Sequence, residues 1–435
     1  MSSHRLTLCI LLLIPTLCAT AQTNGSNSPY SRFGLGNMRD QSQGFNKAMG
    51  GVALGFRDGN RLNMQNPASY SAIDSLSFIF DVGITLQNTN FKSGNNSINA
   101  HNTTLDYINA GFRLCPGLGF SFGFMPYTSI GYNFSESKYL GEDFTSGSTM
   151  TYTNNYSGDG GVHEVYVGLG WNPVADLSVG ANFGYIWGNY DQNISQTFYT
   201  NGETNSASNG LRRQISADLS SYKIDVGLQY PIKLGKKDVL TLGATYGIGH
   251  TINSPAHYYS FVANGDTTNA TIEKAFKLPT SFGAGLAWSH NDQWRIGVDV
   301  TRQKWGDAQM PQIIDNKFTS TSENYQDRTA IAVGGDFLPD RYSNKYLKRV
   351  QYRIGASFST PYFKVNGHEG PREFNVTAGF GLPVSNNINN RSVVNIAFQW
   401  GRSTAGTSSL ITENYLRLNV GITFNERWFM KWKIQ

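Results

Sequence analysis

Leu416-Arg417-Leu418-Asn419-Val420-Gly421-Ile422-Thr423-Phe424 sets an apolar residue at every second position and a polar or tiny one between. A two-residue period puts the two sets on opposite faces of a β-strand, so one face meets an apolar medium and the other a polar one. The pattern returns along most of the chain. Phe78, Phe80, Val82, Ile84 and Leu86 make one such face, and Val179, Ala181, Phe183, Tyr185 and Trp187 another. Tyr222, Ile224, Val226, Leu228 and Tyr230 make a third, and Val394, Ile396, Phe398 and Trp400 a fourth. Repetition on this scale predicts an all-β protein: a transmembrane β-barrel with lipid outside and a polar lumen inside.

Composition supports one β-rich body rather than several soluble domains. Gly (47), Phe (26) and Tyr (23) are abundant and only 15% of the 435 residues are charged. The mean hydropathy of −0.35 is too low for a helical membrane protein, but it suits a wall whose polar inner residues offset apolar outer ones. A formal charge of +5 spread over such a length gives no footprint for nucleic acid.

The first residues predict export. Arg5 precedes an apolar run over 6–17, and Ala19-Thr20-Ala21 offers a small-x-small cleavage site; together they read as a signal peptide over 1–21. At about 12 residues the run is shorter than the roughly 20 that span a bilayer. Cys18 lacks the small preceding residue that a lipidated cysteine requires, since Leu17 stands there. Cleavage would leave Cys115 alone, so no intramolecular disulfide framework is expected.

Residues 22–75 show little alternation and are rich in Gly, Asn and Ser, with the stretches SPYSRFGLG (28–36), AMGG (48–51) and NPASY (66–70). They predict a compact irregular segment. From 76 to 424 the alternation resolves into fourteen strands, an even number that returns both ends of the wall to one side. Connections after even strands are short (115–117, 173–176, 290–292). Those after odd strands are mostly long and polar (135–160, 190–212, 249–278, 305–326). Short inner turns and long outer loops alternate in this way in outer-membrane barrels. The remaining 425–435, with Trp428, Phe429 and Trp432 among basic residues, reads as a periplasmic tail anchored at the membrane interface.

Candidate functional residues follow from this frame. Asp81, Arg113, Glu164, Asp225, Arg295, Asp299, Arg353 and Arg417 fall on lumen-facing positions, and mixed signs in a confined interior predict pairing across the lumen or with the irregular segment, where Arg57, Asp58 and Arg61 are natural partners. Pro126, between Met125 and Tyr127 in the third strand, removes a ladder donor and predicts a kink or gap in the wall. Gly119-Phe120-Ser121-Phe122-Gly123 matches a nucleophile-elbow pattern but lies in a continuous strand, so small residues inside and Phe outside account for it. The histidines form no ligand spacing and neither a metal site nor a cofactor is expected. The protein is not expected to be an enzyme.

Ala48-Met49-Gly50-Gly51, Asp58, and Asn66-Pro67-Ala68 just before the first strand resemble the N-terminal hatch of the outer-membrane long-chain fatty-acid transporter (FadL) family. Leu278-Pro279, Gln293-Trp294 and Trp305 resemble that family too, and the opening SPYSRFGLG is similar to its Bacteroidota branch. The resemblance implies a 14-stranded antiparallel barrel plugged by a hatch over 22–75. It implies passive uptake of a hydrophobic compound from an external site, with lateral exit at the strand-three kink of Met125, Pro126 and Tyr127. The hatch motif would be Gly50, Gly51, Asn66, Pro67 and Ala68. External capture in that family uses apolar loops, whereas here 135–160 and 190–212 are polar and only Tyr258, Tyr259, Phe261 and Val262 form an apolar candidate contact. A second function therefore stands beside transport: a non-transporting barrel subunit or scaffold of a larger outer-membrane secretion or barrel-assembly complex. The partners expected are outer-membrane lipid, a hydrophobic small molecule, or other outer-membrane and periplasmic proteins.

Overall fold

The computed structural model describes residues 27–143, 148–174, 176–205, 210–262, 265, 267–314, 317–384, 391–406 and 410–427. Fourteen antiparallel strands close into a barrel. The first seven are β1 (Ser77–Ser93), β2 (Asn96–Cys115), β3 in two runs (Leu118–Pro126 and Thr128–Asp143), β4 (Ser148–Val174), β5 (Leu177–Thr200), β6 (Leu211–Lys233) and β7 (Asp238–Gly247). The rest are β8 (Ser281–His290), β9 (Trp294–Gln303), β10 (Arg328–Phe337), β11 (Gln351–Ser359), β12 (Arg372–Pro383), β13 (Val393–Thr404) and β14 (Thr412–Arg427). The expected signal peptide over 1–21 and the aromatic part of the tail lie outside the described residues, and β14 itself runs to Arg427.

The closing strand shows why the wall forms. Leu418, Val420, Ile422 and Phe424 stand opposite Leu86, Ile84, Val82 and Phe80 on β1. On the other side Leu416 and Leu418 stand opposite Trp400 and Phe398 on β13. Phe80, Leu86, Phe398, Trp400 and Leu416 are exposed, whereas the alternate Asn419 and Thr423 are buried. Apolar cross-strand pairs thus form a continuous outer belt, and the polar set turns inward.

Strands β2, β4, β6 and β8 end in short turns, helped by left-handed residues such as Gly117, Asp176, Asn291 and Asp292, whereas β10 leads into a longer connection over 338–350. The opposite end differs from the sequence expectation. Stretches 135–160 and 190–212 are largely strand rather than loop: β4 alone has 27 residues, where about 9–11 cross a bilayer. Polar and aromatic pairs sustain these extensions. Ser137 and Thr153 hydroxyls lie 2.8 Å apart, Ser135 donates to Asn155 at 2.6 Å, and the Phe134 and Tyr156 rings stack at 5.1 Å. Both faces of the extensions carry polar residues, so the alternation that marks the wall fades there while β-propensity persists. Part of 249–278 is also strand, with Ala256–Val262 adding to the Leu211–Ser216 end of β6.

Residues 27–75 fold as irregular chain with three short 3-10 turns, Pro29–Arg32, Lys47–Met49 and Pro67–Ala72. They approach the inward face of the wall at glycines. A Cβ on Gly119 would stand 1.9 Å from the Tyr70 carbonyl oxygen, one on Gly243 2.0 Å from that of Leu54, and one on Gly334 2.2 Å from that of Met49. Only residues without a side chain admit another backbone so near. At the long-hairpin end, Trp305, Tyr362, Tyr325, Phe276, Tyr190 and Ile130 belong to a large buried apolar cluster.

Candidate functional site

The Asn66-Pro67-Ala68 motif works as a turn and a tie. The Asn66 side chain accepts from the Ala68 N–H at 3.2 Å, and its Nδ2 donates to the carbonyls of Leu54 at 2.8 Å and Leu228 at 3.1 Å. Pro67 opens the 3-10 turn, where its missing N–H costs nothing. Gly50 and Gly51 both have positive φ, 67° and 87°, and the Gly50 N–H donates to Thr377 Oγ1 on β12 at 2.8 Å.

Charged residues of the segment and the wall meet near the short-turn ends of β9, β10 and β11. Arg295 on β9 reaches Asp58 at 2.8 Å and Asp336 on β10 at 2.5 Å. Arg61 lies 3.5 Å from Asp58 and donates to Gln351 on β11 at 2.6 Å. Arg353 donates to Asn395 at 2.6 Å and also to Gln351. Burial alone would raise the Asp58 carboxyl, but Arg61, Arg295 and the Asn60 N–H outweigh it and hold it well below the usual carboxylate range. Burial and the neighbouring Arg295 bring the Arg61 guanidinium down to about 10.

Other expected lumen residues divide. Asp299 accepts the Ala53 and Leu54 N–H groups at 2.6 and 2.8 Å, and Asp81 accepts from Thr423 at 3.1 Å and Tyr107 at 3.2 Å. Glu164 and Asp225 share Lys223, 3.3 Å from Glu164. Arg417 donates to Gln87 at 2.7 Å and lies over the Tyr415 ring. Arg57 donates to the Ser178 hydroxyl. Arg113 departs from the expectation: it donates to the Cys115 carbonyl at the short-turn end, at 3.2 Å and exposed.

Sequence reasoning missed Lys47, Asp106, Asp336 and Lys223. Asp336 and Lys223 hold inward parity and were legible by alternation. Asp106 was not, because it is the extra residue of a bulge between Gly83 and Ile84 of the β1 ladder. Lys47 sits in chain without a period. It lies 3.1 Å from Asp106 and 3.3 Å from Asp40. Against the pull of burial, those carboxylates raise its pKa. Asp40, Lys47, Asp106, Glu413 and Arg417 line a cavity of about 470 Å3, together with apolar residues such as Met38, Tyr127, Phe282 and Tyr362.

Pro126 marks a parting in the wall. The β2–β3 ladder ends at Ile108 and Phe124, and beyond it the Thr128–Asp143 run pairs with β4 but not with β2. The freed edge is lined by the irregular segment. Met38 and Asn37 pair with Thr128 and Ser129; the Arg39 N–H donates to the Tyr127 carbonyl at 3.1 Å, and Gln41 donates to that of Pro126 at 3.2 Å. Ser31 closes the row above, its Oγ accepting from the Gly131 N–H at 3.1 Å. Met125 and Tyr127 are both buried.

The external apolar candidate does not form one surface. Tyr258 is buried and stacked on Phe318 at 5.3 Å, while Tyr259 and Phe261 are exposed on the opposite face of their strand and Val262 follows the parity of Tyr258. Ser121 is buried, its hydroxyl 3.1 Å from the Ala110 carbonyl and 3.0 Å from Tyr166 Oη; these contacts are those of a packed wall residue. Among the described residues no group of three or more His, Cys, Asp or Glu is arranged to hold a metal ion.

Comparison with solved structures places the fold. The Pseudomonas putida toluene transporter TodX matches with a TM-score of 0.57 at 16% identity, covering 91% of this chain and all of that one. The Ralstonia pickettii toluene transporter TbuX gives 0.55 at 16%, over 90% and 99%. A Pseudomonas aeruginosa FadL homologue gives 0.57 at 13%, over 88% and 97%. At such identities the likeness is one of fold: a FadL-like barrel. Among curated proteins none matches. The family model named BamG, in contrast, matches residues 3–435, wall and interior segment alike, and the chain belongs to the BamG family.

Proposed function

We propose that the protein is an outer-membrane barrel, exported by way of its 1–21 leader, that serves as a non-transporting subunit of a larger envelope machine of the secretion or barrel-assembly kind. It is no enzyme in this reading. The observation that carries it is the state of the lumen. The chain's own aromatics pack at the long-hairpin mouth, the adjoining cavity carries charged side chains among apolar ones, and residues 27–75 act as a plug tied to the wall by buried ion pairs. An apolar solute would have to displace the first and would meet buried charges in the second.

A second reading has one specific observation in its favour. The parting at Pro126, bridged by residues 37–41, would give a hydrophobic-compound channel a sideways route once that segment moved, and TodX and TbuX, which share the fold, are toluene transporters. Fatty-acid passage would be the finer form of that reading.

One engineered cross-link separates the two. Met38→Cys with Thr128→Cys, in a Cys115→Ser background, ties the segment across the freed edge at a paired position. As a subunit, the oxidised variant co-elutes with the same stoichiometric envelope partners as wild type and leaves toluene and oleate uptake unchanged. Uptake that depends on the wild-type chain and stops on oxidation would overturn the proposal in favour of transport.

A further inference from the structure

The connection between β10 and β11, at the short-turn end, folds outward onto the wall. Its helix Tyr346–Arg349 is held by two hydroxyls: Tyr352 donates to the Leu347 carbonyl at 3.1 Å, and Tyr346 donates to the Pro383 carbonyl at the end of β12 at 3.4 Å. Tyr352 shares the parity of Ile354, which is 66% exposed on the outer belt, and its ring meets Phe380 edge-on at 5.8 Å. The neighbouring strands carry Trp294 stacked on Phe337 at 4.1 Å. The helix therefore sits on the lipid side of an aromatic girdle, where amphipathic rings mark the membrane–water interface.

Its composition suits that place. Leu347 is 71% exposed and Tyr342 88%, a poor arrangement in water but a natural one at an acyl boundary. Around them stand Arg341, Lys345, Lys348 and Arg349, the last with its guanidinium 5.5 Å from the Tyr346 ring centroid. The one acid of the connection, Asp340, accepts the Tyr342 N–H at 2.9 Å. The nearby Arg391, after β12, lies 3.3 Å from Asp74, so it adds little net charge.

We propose that this element is a binding site for anionic phospholipid: Leu347 and Tyr342 enter the acyl boundary, and Lys345 and Lys348 take the headgroup phosphate. The site rests on the membrane-spanning reading of the barrel but not on the choice between subunit and transporter. An acidic protein would find the same cations. Continuity with the outer apolar belt favours lipid, because a partner docked there would have to displace it.

The test uses the full chain, purified in mild detergent and incubated with an equimolar mixture of phosphatidylglycerol and phosphatidylcholine, with retained lipids counted by native mass spectrometry. Wild type should retain the anionic lipid preferentially. The Lys345→Gln, Lys348→Gln variant should lose that preference by about fivefold per charge at low salt, and Leu347→Ser should lower retention of both lipids. Equal retention of the two lipids by wild type, or an unchanged preference in the double variant, overturns the site. A double variant that keeps its lipid but loses a co-purifying acidic protein assigns the patch to that protein instead. Failure of the barrel reading looks different: no lipid of either kind is retained and the chain shows no heat-modifiable band on electrophoresis.

Discussion

Asp58 receives guanidinium groups from two directions, Arg295 from the wall and Arg61 from its own segment, and Asp336 shares the first of them. All four side chains are more than four-fifths buried, so removing one cation strands carboxylates in a medium that solvates them poorly. Arg295→Ala should destabilise the barrel by about 3–5 kcal/mol, read as a lower urea midpoint for loss of the heat-modifiable band; Arg295→Lys should recover only part, because an ammonium cannot reproduce the two parallel hydrogen bonds to Asp336 while reaching Asp58. The pH dependence has a defined sign. The folded Asp58 carboxyl lies below its unfolded value, so its contribution is complete above about pH 4 and is lost as pH falls through the folded value. The stabilisation of wild type over Asp58→Asn should hold from neutrality to about pH 5 and shrink below about pH 4. A difference between the two that grows on acidification would remove Asp58 as a stabilising group.

At the level of elements, the irregular segment depends on holes that the wall provides. Gly243 on β7 gives room for the Leu54 backbone, and a Cβ there would collide with it at 2.0 Å. Gly243→Val keeps β-propensity but fills the hole, so the segment should lift while the wall stays closed. Limited proteolysis should then cut within 27–75 in the variant and not in wild type, with the heat-modifiable band preserved in both; loss of the band as well would mean that segment and wall fold as one. The wall was readable in advance because each strand separates lipid from a polar interior, and that contrast is written as alternation in Leu416–Phe424 and its relatives. The extensions of β3, β4 and β5 were not, since past the membrane both faces carry polar residues and the period fades. Arg295 could be named from parity, and Asp58 and Arg61 as charges of the irregular segment available to pair with such lumen residues. Lys47 and Asp106 could not, one lying in chain without a period and the other displaced by a bulge. The parting at Pro126 was signalled by a single residue, whereas the lining of the freed edge by Met38 is long-range pairing that no local pattern records.

On the scale of the whole molecule, the proposed plug would put two barriers in series along the barrel axis. The first is the aromatic cluster at the long-hairpin mouth, where Trp305 is fully buried, tilted against the Tyr362 ring at 4.5 Å and donating to Gln303 at 3.1 Å. The second is the segment 27–75, seated against the strands below. Barriers in series make a distinctive prediction, because either alone suffices to block ions. Trp305→Ala should cost about 3–5 kcal/mol in stability, yet in a planar lipid bilayer it should pass no more steady current than wild type, since the second barrier is intact. Gly243→Val should likewise remain closed behind the first. The combined Trp305→Ala, Gly243→Val barrel should conduct, with a current far above the sum of the two singles, because only then is a polar path continuous from mouth to mouth through the cavity of Asp40, Lys47 and Asp106. Steady conductance in wild type, or in Trp305→Ala alone, would show that the segment does not seal the lumen and would withdraw the main physical support for a non-transporting barrel.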